Sequence, residues 1–119
     1  MKKTDAANPP TNLLDALLAP AIRPYEEITI GGRGAFLVQG LMAQEYIEFQ
    51  NSLSKDFTQT EYGARMICAS LVHPETKKRI LADADWERVA AAWSGKEFQQ
   101  AVSVCLKLNG LQQRGPEGN

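Results

Sequence analysis

Apolar residues change their spacing near residue 40, from short alternating or continuous runs to a repeat of three to four. Before that point, Ile28 and Ile30 flank Thr29 in the run 25–30, and Phe36, Leu37 and Val38 fill the run 35–39. Gly31-Gly32-Arg33-Gly34 separates them. Two short β-prone runs joined by a glycine-rich turn predict a hairpin. A lone hairpin is marginal in water, so this one must pack on something. Helices supply that surface. Met42, Tyr46, Phe49 and Leu53 recur at i, i+4, i+7 and i+11, one stripe of an amphipathic helix. Thr58 and Glu61 have capping-box spacing. The helix they open carries Tyr62, Met66, Ala69 and Val72 on one face, widened by Ile67 and Leu71. His73-Pro74 is predicted to end it, because a residue before proline is pushed out of the helical region.

A polar connector, 75–79, leads through Ile80-Leu81 to Asp83, a predicted cap. Trp86, Val89, Ala90 and Trp93 then fall at i, i+3, i+4 and i+7, and Gly95 breaks that helix. Ser94 with Glu97 again has capping-box spacing. Phe98, Ala101, Val102, Cys105 and Leu108 form the last stripe, closed by Gly110. The predicted fold is mainly α: a small single-domain helical fold of four to five helices with a short N-terminal β-hairpin. Residues 1–24 are expected as a mobile N-terminal arm with a short Leu-rich helix, capped by Asn12 and stopped by Pro20 and Pro24. Residues 25–111 form the helical domain, and the polar stretch 112–119 a disordered C-terminal tail.

Composition agrees with one domain: 119 residues, 44% apolar and 23% charged, enough to fill a core. The net charge of −1 gives no electrostatic footprint for nucleic acid. Met1-Lys2-Lys3 resembles the start of a signal peptide. The apolar stretch that should follow is delayed past Pro9-Pro10 and interrupted by Asp15. No segment approaches the roughly 20 apolar residues of a membrane span. A soluble, unexported protein with no membrane partner is expected.

The candidates for chemistry each have a plainer reading. Gly31-Gly32-Arg33-Gly34 lacks the lysine and the following helix of a phosphate loop, and positive φ at a hairpin turn accounts for its glycines. His73 lacks an aligned nucleophile and an orienting third group. Asp83, Asp85 and Glu87 are what a helix N-terminus collects for capping and dipole reasons. Cys68 and Cys105 could pair on parity alone, but both fall within apolar helical patterns and read as buried thiols. No catalytic residue, metal ligand or cofactor is assigned. Lys77-Lys78-Arg79 reads as a solvated connector, and the connector is too long for a helix-turn-helix. Leu13, Leu14, Leu17 and Leu18 stand apart between Pro9-Pro10 and Pro20. They either dock on their own core or lie in a groove of a partner or neighbouring subunit. They are the candidate surface for partner binding or self-association.

The order of elements resembles the tail assembly chaperones of long-tailed bacteriophages. The residues that carry the likeness follow the β-prone run: Leu41-Met42-Ala43-Gln44-Glu45-Tyr46-Ile47-Glu48-Phe49, a helix ending in Ala69-Ser70-Leu71-Val72, a polar crossing to Leu81-Ala82-Asp83-Ala84-Asp85-Trp86, and the close Cys105-Leu106-Lys107-Leu108-Asn109-Gly110-Leu111. In that family a similar x-A-x-E-x-x-x-F helix precedes an A-x-x-V helix, and the domain ends near L-N-G-L. The likeness covers residues 25–111; the Leu13 to Leu18 segment has no counterpart in the family pattern. It implies a non-enzymatic role in the host cell cytoplasm: binding the tape measure protein, helping to recruit the major tail protein, and absence from the mature virion. It also implies a homo-oligomer and, in many relatives, a longer frameshifted form of the same chain branching near residues 112–119. The alternatives are a structural head–tail connector or minor tail protein, which stays in the particle, and a small DNA-binding regulator.

Overall fold

Three antiparallel strands and four of the five helices share one core in the computed structural model, which describes residues 12–111. The expected disordered tail, 112–119, and the arm before Asn12 lie outside the described residues. In chain order the elements are α1 (Leu13–Leu18), β1 (Tyr25–Thr29), β2 (Ala35–Gln39), α2 (Ala43–Ser52), α3 (Gln59–Ser70), β3 (Leu71–Val72), α4 (Trp86–Ala92) and α5 (Gly95–Leu108). A single 3-10 turn, Asp83–Asp85, leads into α4.

β1 and β2 form the predicted hairpin, with Ile28 opposite Phe36 and Glu26 opposite Val38. Gly31 and Gly34 take the left-handed φ values, +50° and +128°, that its loop requires. The face bearing Ile28, Ile30 and Val38 is buried against the helices. α3 runs through the middle of the molecule, with Ala64, Met66, Ile67 and Cys68 fully buried, and packs on both α4 and α5. α5 also crosses β1 and β2. Phe49 of α2 meets Tyr62 of α3 edge-on, ring centroids 5.2 Å apart, a contact worth about 1 kcal/mol beyond area burial.

The domain is therefore a mixed α+β fold, not the mainly helical fold with a hairpin that the pattern predicts. The difference lies at Leu71 and Val72. The pattern carries them on the stripe of the preceding helix, but that helix stops at Ser70 and they become the third strand. Leu71 pairs with Val38 and Val72 with Leu37, giving β2 a partner on its second side. Both residues are buried, one on each face of the sheet, so the run shows no alternation that would mark a strand. His73-Pro74 favours extended backbone just where the chain leaves the helix. The connector then folds back so that Arg79 bridges Val72.

Two capping expectations also change in detail. Thr58 accepts from Glu61 N (3.1 Å), but the Glu61 carboxylate turns away from the cap to accept from Ser54 N and Oγ and from Arg65. Asp83 is not the cap of α4; Asp85 accepts from Ala82 N (2.9 Å) and closes the 3-10 turn. Ser94 and Glu97 form a full capping box at α5.

Candidate docking surfaces

Asn12 accepts from Asp15 N at 2.7 Å and Ala19 turns extended before Pro20, so α1 has a defined start and stop. At 100° per residue, Leu13, Leu14, Leu17 and Leu18 occupy one arc of about 140°, with Asp15 and Ala16 behind. None of its residues is buried. The four leucines are 83%, 64%, 81% and 71% exposed, and Ile22 after them 93%. The structure thus leaves these side chains uncovered by their own core.

The chain becomes fixed at Arg23. Its guanidinium grips Glu45 with two bonds of 2.8 and 3.0 Å and donates to Gly40 O at 2.8 Å. Glu45 in turn accepts from Met42 N and caps α2. The Arg23 hydrogen bond is the largest influence holding the Glu45 carboxyl below its usual range, and the same bond raises Arg23. Gly40 N donates back to Pro24 O (2.9 Å), and a Cβ at Gly40 would come within 2.6 Å of the rigid Pro24 ring. The arm therefore leaves the domain from a clamped base.

A second uncovered apolar surface lies between the first turns of α3 and the middle of α5. It is an open cleft of about 520 Å³ floored by Phe57, Tyr62, Gly63, Phe98, Val102 and Leu106 and rimmed by threonine and glutamine side chains, with no charged residue in its lining. Gly63 lets the two helices approach: a Cβ there would stand 2.8 Å from Phe98 and 3.0 Å from Val102. The helical stripes include Tyr62, Phe98 and Val102, but spacing does not bring them together as a cleft, because its walls come from residues 57–63 and 98–106. Phe57, in the loop before α3, adds an apolar side chain that is 43% exposed.

The other candidates serve the fold. His73 Nδ1 accepts from Glu75 N and Thr76 N and organises the turn after β3. Lys77 stands over the Tyr25 ring at 5.1 Å, and Arg79 donates to Cys68 O and Asp83. Burial pushes the Cys68 thiol up to about 11 and Cys105 to about 12. Among the described residues no three His, Cys, Asp or Glu gather as a metal site, and no helix is long and apolar enough to cross a membrane.

The phrase Leu108-Asn109-Gly110-Leu111 closes α5. Leu111 N donates to Leu106 O (2.8 Å), Gly110 N to Lys107 O (3.1 Å), and Gly110 takes φ +70°. This is the paired bond pattern of a glycine-terminated helix. Asn109 adds a tie across the fold, accepting from Leu41 N at 2.8 Å. No family model, curated protein or solved structure matches the chain.

Proposed function

We propose that this protein is a non-enzymatic assembly factor of the phage tail assembly chaperone kind, which binds the tape measure protein in the host cell cytoplasm and helps recruit the major tail protein. The observation that carries the docking role is the clamped arm with its uncovered leucine face. A six-residue helix is too short to be stable alone in water, and four exposed leucines on one face favour a groove on another polypeptide. The phage setting rests on the order of elements from Leu41 to Leu111. Within that stretch Asn109 and Gly110 serve the helix cap, and Leu71-Val72 of the A-x-x-V phrase are strand rather than helix, so the setting rests on the Leu41 to Phe49 phrase and the order of elements.

The physical logic is that of a cover. A long helical client with an apolar stripe aggregates before the tube assembles around it. Many copies of a small domain can mask it through modest contacts, with self-association adding avidity, and tube subunits can still displace them. The test is co-purification of the full chain with the tape measure protein encoded nearest to its gene. Leu14→Asp with Leu17→Asp is expected to reduce capture at least about tenfold while the circular dichroism of the domain is unchanged. Equal capture by the double variant, or none by the parent chain, overturns the reading. Mass spectrometry of purified particles decides against a connector: a chaperone is absent from them and a connector is present.

A further inference from the structure

A single copy of this chain leaves two apolar surfaces open at once, the leucine face of α1 and the cleft between α3 and α5. They match in chemistry. The leucine arc holds no charge and neither does the cleft lining, so joining them strands no ion away from water. Both are bordered by groups able to stay hydrated: Asp15 and Asn12 on the helix, threonine and glutamine side chains at the cleft rim. The tether between them is short. Only residues 19–22 separate α1 from the clamp at Arg23; Pro20 lies within that segment and Pro24 follows the clamp. Prolines restrict such a segment to stiff, extended backbone. It holds α1 off its own domain, with Ile22 almost fully exposed at its root.

We propose that the cleft floored by Phe57, Tyr62, Phe98 and Val102 is the seat for α1 of a second copy of this chain, so that two copies exchange arms. The exchange is reciprocal: each chain gives an arm and receives one, which closes a two-fold dimer without a free end. Its area is that of a modest interface. Four leucines burying roughly 100 Å² each, with the smaller cleft lining, come to about 1,100 Å² over two contacts, near the lower bound for a specific interface. Arm exchange deepens the docking role given above to α1, with a second copy supplying the groove, and it rests on that role; lower client capture by the aspartate pair then reports the avidity lost with the dimer.

Sedimentation of the purified full chain reads the outcome first. A dimer is expected at about 100 μM, a concentration at which even an interface of about 1,100 Å² associates. Leu14→Asp with Leu17→Asp is expected to weaken it at least about 100-fold, each leucine contributing to both contacts. Mixing Leu17→Cys protein with Gln99→Cys protein, both substitutions being at exposed positions, is expected to give a covalent heterodimer on mild oxidation. A monomer at that concentration overturns arm exchange. So does a dimer indifferent to the aspartate pair, or a mixture giving no heterodimer. So does a chain carrying both cysteines that closes its disulfide within itself, since the arm then lies in its own cleft. Client capture by a strictly monomeric chain would remove arm exchange and leave the chaperone reading standing; a dimer that captures no client would do the reverse.

Discussion

At the tip of the hairpin a single arginine ties the sheet to the helices. Arg33 donates to Ala92 O at 2.7 Å and to Glu97 at 3.2 and 3.3 Å, and its guanidinium lies 5.6 Å from the Trp93 ring. Glu97 also accepts from Ser94 N, and that capping bond is the main reason its carboxyl titrates below the usual range. Gly31 sits directly against this junction. A Cβ there would overlap the Glu97 carboxylate, and φ of +50° is already costly for any L side chain. Gly31→Ala is expected to destabilise the domain by about 1–3 kcal/mol in urea unfolding. Gly32→Ala, with open space around it, should stay within about 0.5 kcal/mol. Equal behaviour of the two would show that the Glu97 junction contributes nothing. The thiols allow a second measurement. With Cys68 at about 11 and Cys105 at about 12, alkylation of the native protein at pH 8 should run at least about 100-fold slower than in urea.

At the scale of elements, the start of α3 depends on one nearly buried carboxylate. Glu61 accepts from Arg65 Nε at 2.7 Å and from Ser54 N and Oγ at 2.9 and 2.8 Å, fixing the loop between α2 and α3. The Arg65 bond is the largest of the influences that hold its pKa below the ordinary value. A depressed carboxyl adds stability that is fully present above its unfolded pKa, near 4.3, and is lost as pH falls through the lower folded pKa. Glu61→Gln should therefore unfold more easily than the parent at pH 6, and the gap should narrow below about pH 4. A gap independent of pH would assign the effect to packing. The Glu61 case also shows what the sequence could reveal. Thr58 and Glu61 announced where a helix begins, since that rests on local spacing. Where the carboxylate points was decided by Ser54, in the loop seven residues before it, and Arg65, one turn after it, and spacing rules hold no information on that choice. Leu71 and Val72 failed for a related reason: a strand buried on both faces reads as a continuation of an apolar helix. The leucine arm was legible because it is local. The cleft was not, because its two walls are about 40 residues apart in sequence and come together only in the fold, with Gly63 allowing their close approach.

For the whole molecule, the arm is useful only if its base holds still. Arg23 and Pro24 make that base, joining the arm to Gly40 after β2, to Glu45 at the head of α2 and, through Gly40, to the end of α5 near Leu108. Three elements distant in sequence thus set the direction in which α1 departs. Arg23→Ala removes all three bonds of its guanidinium but leaves the sheet and the α3–α5 core untouched, since Arg23 lies outside the buried cluster. The amide of Gly40 reports on the clamp because its only backbone acceptor there is Pro24 O, at 2.9 Å. Its hydrogen exchange should speed up at least about tenfold in Arg23→Ala, as local opening of the base becomes easier. Amides within α3, which exchange through wider unfolding, should change much less. Arm exchange should weaken in the same variant, because a freely swinging α1 loses more conformational entropy on docking. If Gly40 and α3 amides accelerate together, Arg23 stabilises the domain at large. If neither changes, the arm is held by Pro24 alone, and its direction does not depend on the Arg23 to Glu45 pair.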